Sequence, residues 1–319
     1  MATYNPPSQL FRRQIESIRR QSWTNWHCFV SDDASSDEAS ARMQEVIGAD
    51  DRFTLSVSAT RLGFYRNFER SLQMVPVEFC YFALADQDDS WQPEKLQALF
   101  EQFDDNTALT YSDARIVDAA GRVIADSAFF NRDANCHDLV SMVMSNSVTG
   151  AAALFSGKVL QHALPFPAGI EGLAHDQWLA CVSLACGKAK YLPRCLYDYV
   201  QHGENAIGFH DAIRSPWFKL LFFGLKVMMT SKGRQAAEEI FRRQVTKVTS
   251  LARELSRRCH TFLKQDDLDN LRFLAELEPS LQALHWFIRR GMKTGRLTAG
   301  AEHYLALGLW GQYLSKFKD

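Results

Sequence analysis

Two apolar runs that each lead directly into a group of aspartates constrain the fold of this 319-residue chain most strongly. The run at 79–85 is almost continuously apolar, which is typical of a strand covered on both faces, and aspartates dominate the next four residues, 86–89. The run at 27–31 is followed in the same way by Asp32 and Asp33. Because strands alternate with helical patterns, we predict a mainly parallel α/β sheet with flanking helices and a ligand site at the carboxyl ends of its strands.

The segments between and after these runs predict the remaining elements. Ser35 and Glu38 have the spacing of a capping box, which predicts a helix through Ile47. Further strands are predicted at 54–59, 109–111 and 151–155, and further helices around 68–72 and 93–103. From residue 211 onward apolar residues fall at helical spacing, so we expect an α/β domain at 1–210 and a helical region at 211–319.

Charge differs between these two regions although the net charge is only −1. Residues 1–210 contain 17 Lys+Arg and 26 Asp+Glu, whereas residues 211–319 contain 19 and 11. The basic side chains of the second region include Arg242, Arg243, Arg257, Arg258, Arg289, Arg290, Lys293 and Arg296. These residues predict either contact with an anionic membrane surface or lipid-diphosphate acceptor, or solvated faces of a helical bundle or dimer. The most apolar run, 217–229, has 13 residues and is too short to span a bilayer.

Asp86 and Asp88 are the candidate metal ligands. In an extended segment residues i and i+2 project to the same side, so the two carboxylates can hold one hard cation, Mg²⁺ or Mn²⁺, between them. Such a cation keeps coordination positions free for the phosphate oxygens of a nucleoside diphosphate. The alternative is that the aspartates are helix caps in solvated turns. Two such clusters, each at the end of an apolar strand, favour the site that binds a metal and a polyanion.

Two downstream residues add candidates for chemistry. Asp176 precedes an apolar helical run and is either a helix cap or a general base. His202 lies in a Gly/Asn loop and is either structural or able to reach a ligand. The sequence contains no Gly-x-Gly-x-x-Gly, Walker lysine, His-Glu-x-x-His or Gly-x-Ser-x-Gly motif, which argues against dehydrogenases, P-loop enzymes, zincins and hydrolases with a nucleophile elbow. Seven scattered cysteines without Cys-x-x-Cys favour a reducing cytoplasm.

In this order, the segments resemble family 2 of the inverting glycosyltransferases, which have the A-type nucleotide-sugar fold (GT-A), and especially its bacterial rhamnosyltransferase branch. The resemblance covers about residues 1–210. It rests on a first-strand motif whose end is at 1–5, a helix at 14–23, the DDASSD segment at 32–37, Gly63 with Asn67-Phe68, the DQDDSW segment at 86–91, the HDQW segment at 175–178 and the QHGEN segment at 201–205.

The resemblance implies roles for individual residues. Asp176 corresponds to the catalytic base, and Asp86, Asp88 and His202 to the surroundings of a Mg²⁺ or Mn²⁺ ion. The remaining assignments are Tyr4, Asp32, Asp33, Asn67 and Asp89 for the nucleotide donor, and Trp91, His175 and Trp178 for the donor and acceptor pocket. The implied donor is a dTDP- or UDP-sugar, with rhamnose as the specific expectation. The implied acceptor is a hydroxyl of a cell-surface glycan or lipid-linked molecule, and no nucleic acid is involved. We expect a cytoplasmic protein, with peripheral contact at the inner face of the cell membrane as one arrangement.

Three departures from the family pattern modify these expectations. Ala34 stands where the family has Gly, which matters if the position needs a positive φ. Arg61 stands where the family has Asn. The sequence begins inside the first-strand motif, without about six apolar residues of that strand, so we expect reduced stability through lost burial. A catalytically degenerate nucleotide-sugar-binding protein is therefore the alternative, and a metal-dependent phosphoryl or pyrophosphate hydrolase ranks below it.

Overall fold

The computed structural model describes residues 1–128, 138–202, 231–278 and 280–294, and the chain divides into two compact units. The described part of the first unit comprises 1–128, 148–166 and 174–202, and that of the second comprises 138–147, 167–173, 231–278 and 280–294. The predicted boundary at residue 210 and the apolar run at 217–229 lie outside the described residues. Two segments that precede that boundary, 138–147 and 167–173, belong to the second unit.

A three-stranded parallel sheet forms one part of the first unit. Its strands are β1 (Ala2–Thr3), β2 (Cys28–Asp32) and β3 (Phe53–Val57), in the order β1-β2-β3. The helices α1 (Ser8–Arg19), α2 (Asp37–Ile47) and α3 (Phe64–Gln73) each follow one of these strands. Ser36 rather than Ser35 caps α2, because its side chain accepts a hydrogen bond from the Ala39 N–H.

A six-stranded mixed sheet forms the other part of this unit. Its strands are β4 (Tyr81–Ala83), β5 (Ser90–Trp91), β6 (Thr107–Asp118), β7 (Val123–Ala125), β8 (Ala153–Ser156) and β9 (Lys188–Gln201). The order is β4-β8-β6-β9-β5, with β7 paired to β6, and only the β6–β9 pair of this sheet is parallel. The predicted α/β architecture is confirmed, with a first sheet that is wholly parallel and a second that is mainly antiparallel.

Seven further helices complete the described structure. They are α4 (Lys95–Phe100), α5 (Leu139–Met144), α6 (Lys158–Ala163), α7 (His175–Cys186), α8 (Ser231–Cys259), α9 (Gln265–Ala275) and α10 (Leu281–Thr294). In the first unit α1 packs onto β2 through Phe11, Ile15 and Val30, all of which are buried. The Ala2 N–H lies 3.4 Å from the Ala85 carbonyl, which brings the end of β4 beside β1.

The regular structure of the second unit is all helical within its described residues, in agreement with the sequence pattern. Its buried residues include Val248, Leu251, Leu255, Leu271 and Leu274. Several of the arginines that make this region basic have acidic partners: Arg243 contacts Glu239, Arg257 and Arg258 contact Glu254, and Arg290 contacts Asp138. Within the described residues, no helix is both long and apolar enough to cross a membrane.

Candidate active site

Three carboxylates come together where β4 ends and α7 begins. Burial, followed in importance by the nearby charges of Asp88 and Asp176, raises the pKa of Asp86 to about 7. Asp176, which the sequence assigned to acid–base chemistry, therefore lies within electrostatic range of Asp86, one of the two aspartates assigned to metal binding. Their mutual repulsion makes this region favourable for a cation.

Asp88 is hydrogen-bonded to His202, the third residue predicted near the metal. The His202 Nε2 atom lies 2.8 Å from Asp88 Oδ2, and both side chains are mostly buried. Among the described residues, no group of three or more His, Cys, Asp or Glu side chains is arranged to hold a metal. The oxygen donors of Asp86 and Asp88 nevertheless fit Mg²⁺ or Mn²⁺, with the other positions left to a ligand.

Asp176 lies in the first turn of α7, whose N-cap residue is Ala174. The Asp176 Oδ1 atom accepts a hydrogen bond of 2.7 Å from the Gln177 N–H. The helix N-terminus stabilises a negative charge at this position. Asp176 is thus a carboxylate within the helix rather than its N-cap, and its charge acts on Asp86.

His175 forms part of the wall next to Asp176. Its ring stacks on Phe68, with centroids 3.9 Å apart, and its Nδ1 atom is buried without a hydrogen-bond partner among the described residues. On another side a β-carbon built on Gly150 would lie 3.1 Å from the His175 Nε2 atom, so any larger residue there would have to displace this side chain. Burial lowers the pKa of His175 to about 3, so the ring is neutral at physiological pH.

Both tryptophans predicted to line the pocket lie in the protein core instead. Trp178 is fully buried, and its indole N–H donates to the Ala163 carbonyl at 2.9 Å. Trp91 is also buried, and the ammonium of Lys95 lies over its ring. The apolar area of an indole favours this burial, and it places both residues beneath the site rather than on its surface.

Asp32 and Asp33 are buried and already bonded to neighbouring loops. Asp32 accepts hydrogen bonds from the Thr3 hydroxyl at 3.0 Å and from the Ser35 N–H at 2.9 Å. Asp33 accepts hydrogen bonds from the backbone N–H groups of residues 62 and 63, at 2.8 and 2.7 Å. These predicted donor-binding carboxylates therefore fix the loops that follow β1, β2 and β3.

Ala34 has a φ of 63°, in the left-handed region. The substitution of Ala for the family's Gly thus falls at a position that needs a positive φ, and it costs on the order of 1 kcal/mol. The sequence alone identified the substitution but not the backbone conformation on which its cost depends.

The hydrogen-bonding groups of the Asn67 side chain are occupied by partners within the protein. Its Nδ2 atom donates to the carbonyls of Thr3 and Ser31, and its Oδ1 atom accepts from the Ser31 hydroxyl and from Arg70. Arg70, which the sequence reasoning missed, also donates to the Asp32 carbonyl at 2.7 Å. Its only sequence signal is that it follows Asn67 by three residues, on the same face of α3. The two side chains hold β1 and β2 together beneath the site.

Tyr4 and Asp89 differ in their exposure near the DQDD segment. The Tyr4 N–H donates to the Gln87 side chain at 2.8 Å, and the Arg61 guanidinium lies 3.8 Å from the centroid of the partly exposed Tyr4 ring. Asp89 is buried, and its Oδ1 atom accepts from the Val200 N–H at 3.2 Å. Tyr4 can therefore meet a ligand, whereas Asp89 faces the interior.

Comparisons with known proteins concern the first part of the chain and its fold. Residues 1–130 match the family Glycosyl transferase family 2. The uncharacterized protein y4gI of Sinorhizobium fredii is 28% identical over 183 residues, which are 56% of this chain and 19% of that protein. The chain thus spans less than one fifth of the length of this curated relative.

Among solved structures, S. aureus TarS 1–349 in complex with UDP-GlcNAc has a TM-score of 0.53 at 13% identity, covering 99% of this chain and 90% of that chain. A second structure of S. aureus TarS 1–349 has a TM-score of 0.51, with the same identity and coverage. At this identity the likeness shows the fold alone. Residues 1–130 therefore match glycosyl transferase family 2, and the α/β fold is GT-A-like, as the sequence predicted.

Proposed function

We propose that this protein is an inverting glycosyltransferase that moves a sugar from a nucleoside-diphosphate donor to an acceptor hydroxyl. The observation that carries the proposal is the convergence of Asp86, Asp88 and Asp176, whose charges act on one another at the end of β4. A carboxylate base and a cation-binding pair can together activate the acceptor hydroxyl and neutralise the leaving diphosphate in a single displacement at the anomeric carbon. The family match over 1–130 supports the same assignment.

In this mechanism Asp176 takes the proton from the acceptor hydroxyl as its oxygen attacks the anomeric carbon. The bond to the nucleoside diphosphate breaks in the same step, so the anomeric configuration inverts and no sugar–enzyme bond forms. The neutral His175 ring, held between Phe68 and Gly150, fixes the start of α7 and leaves Asp176 as the proton acceptor.

Asp86 and Asp88 would hold the Mg²⁺ or Mn²⁺ ion, with His202 orienting Asp88 through their hydrogen bond. When bound, such an ion supplies Lewis-acid neutralisation of the charge that develops on the leaving diphosphate. Tyr4 presents its ring for the base, and its N–H is tied to Gln87 in the same segment. Asp32, Asp33 and Asn67 support this end of the site by holding its loops.

We further propose a dTDP- or UDP-sugar donor, with rhamnose as the first sugar to test, and an acceptor that is a glycan or lipid-linked hydroxyl. The UDP-GlcNAc bound by TarS, a protein of similar fold, supports a nucleotide-sugar donor. The exposed arginines of the helical unit, such as Arg242 and Arg289, support peripheral contact with an anionic membrane. Flotation with anionic and with neutral vesicles tests that contact, and equal recovery in both would contradict it.

The function is tested by turnover of dTDP- and UDP-sugars with Asp176→Asn beside the wild type. Loss of the base lowers the rate by roughly 10²–10⁴-fold, while binding of UDP or dTDP is retained. Asp105→Asn, at an exposed position, is the matched control and leaves both unchanged. Full activity of Asp176→Asn would contradict the assigned base, and nucleotide binding by a wild type without turnover would identify a degenerate binding protein.

A further inference from the structure

The two halves of the proposed donor site belong to different sheets. Tyr4, the residue proposed to meet the base, follows β1 of the three-stranded sheet, whereas Asp86 and Asp88 follow β4 of the six-stranded sheet. A nucleoside diphosphate that meets Tyr4 with its base and the metal with its phosphates therefore crosses from one sheet to the other. The relative position of the two sheet edges decides whether one ligand reaches both halves.

Gln87 connects these edges by a side-chain hydrogen bond. Its Oε1 atom accepts from the Tyr4 N–H at 2.8 Å, although the two residues are 83 positions apart in the sequence. The neighbouring backbone contact, between the Ala2 N–H and the Ala85 carbonyl, is longer at 3.4 Å. The side chain of Gln87, which stands between the two predicted metal ligands in the sequence, thus reaches the loop that follows β1.

The loop after β1 is also anchored on its own sheet. The Asn5 N–H donates to Ser35 Oγ at 2.7 Å, and the Asn5 side chain accepts from the Ser36 N–H at 3.0 Å. Asn5 has a φ of 40°, a positive value that Asn adopts more readily than most residues. The loop is therefore held at two adjacent residues, by the DDASSD segment at Asn5 and by the DQDD segment at Tyr4.

The association of the two sheets does not depend on Gln87. They share one apolar core, in which the buried Val30 and Phe53 of the first sheet pack in the same cluster as Trp91 and Tyr197 of the second. Loss of one partly buried hydrogen bond is small beside the burial of such a core. A variant at Gln87 therefore folds, and the change is confined to the edge where the donor is proposed to bind.

We propose that Gln87 is a positioning residue that holds Tyr4 where one nucleoside diphosphate reaches both the Tyr4 ring and a cation on Asp86 and Asp88. Without this hydrogen bond the ligand has to order the loop when it binds, and the lost conformational entropy lowers its affinity. The inference deepens the proposed function and rests on it, whereas the hydrogen bond between the two sheets does not.

The first test is amide hydrogen exchange at residue resolution in Gln87→Met, a variant of similar side-chain length without the acceptor oxygen. The Tyr4 N–H loses its partner and exchanges roughly fivefold faster or more. The Asn5 N–H, which bonds Ser35, keeps its rate and is the internal control. Gln44→Met, at an exposed position of α2, is the matched variant and changes neither rate.

The second test is calorimetric binding of Mn²⁺ alone, and then of UDP at saturating Mn²⁺. Gln87→Met binds Mn²⁺ like the wild type, because both aspartates are retained, and it binds UDP roughly tenfold more weakly. Gln87→Glu keeps an acceptor oxygen at the same position, so it retains the slow exchange of the Tyr4 amide and the wild-type affinity for UDP. A variant that had merely lost its local structure would also lose Mn²⁺ binding.

Three results would overturn the inference. They are an unchanged exchange rate of the Tyr4 amide in Gln87→Met, UDP binding by that variant equal to the wild type, and loss of its Mn²⁺ binding. If the folded wild type binds Mn²⁺ but no UDP, the proposed function fails and the positioning role fails with it. The exchange rate of the Tyr4 amide then still decides whether Gln87 joins the two sheets.

Discussion

Replacing Asp86 by Asn is expected to stabilise the metal-free protein while removing its ability to bind a cation. In the native structure the Asp86 carboxylate is desolvated and faces the charges of Asp88 and Asp176, so its ionised form is unfavourable. An amide has almost the same shape and no charge, and it avoids this cost. Stability and function therefore conflict at this position.

The magnitude follows from the pKa of Asp86, which rises from 3.8 to about 7 on folding. A shift of roughly three pH units at 1.36 kcal/mol each gives at most about 4 kcal/mol. Between these two pKa values the native protein retains a proton that the unfolded chain has lost. The stability of the wild type consequently falls as the pH rises through this window.

Asp86→Asn lacks this titration, so the advantage of the variant grows with pH. It is absent below the unfolded pKa and reaches its full value above about pH 7. Urea unfolding in EDTA at several pH values between about 5 and 8 measures it, with Asp105→Asn as the exposed control. Equal stability of Asp86→Asn and the wild type at pH 8, or an advantage that shrinks as the pH rises, would refute this reasoning.

Three further substitutions test the packing around the site. In Gly150→Ala the added methyl group lies 3.0 Å from Leu84 and 3.1 Å from His175. We expect turnover to fall by roughly 10²-fold while the affinity for UDP is kept. Unchanged steady-state kinetics would contradict this expectation. Asn67→Ala leaves two buried backbone carbonyls without their side-chain donor, and it lowers the free energy of unfolding by about 2–4 kcal/mol. A negligible change of this free energy in urea unfolding would be inconsistent with the hydrogen bonds. Ala34→Gly relieves a φ of 63° and adds up to about 1 kcal/mol in the same assay, whereas a destabilised variant would argue against strain at that residue.

The sequence predicted β2, β3, β4, β6 and β8 because hydrophobic periodicity is a local signal, but it did not predict β5, β7 or β9. The run at 79–85 and the helical spacing after residue 211 both have counterparts in the structure, in β4 and in the helices α8 to α10. The orientation of β6, β8 and β9 could not be predicted, because their pairing joins residues far apart in the chain. The N-cap of α2 was predicted at Ser35 but is Ser36, because the two adjacent residues carry the same hydroxyl group.

Motif spacing identified Asp86, Asp88, Asp176 and His202, and the structure places these side chains in one region. Motif spacing could not show which of the predicted site residues face a ligand and which lie in the interior. Trp178 and Asp89 match their motifs in either case, and only the structure shows that both are buried. Lys95 and Arg70 were missed because the burial of a charged side chain is decided by tertiary packing and has no periodic signature in the sequence.

The measurement that tests the account most directly is calorimetric titration of the protein with dTDP and with UDP, in Mn²⁺ and then in EDTA. The account predicts binding that requires Mn²⁺ and that Asp88→Ala abolishes, with Asp105→Asn binding like the wild type. The preferred base then selects the sugar donors to assay. Binding that is unaffected by EDTA and by Asp88→Ala, or no binding by a folded wild type, would contradict a metal-assisted nucleotide-sugar site at the end of β4.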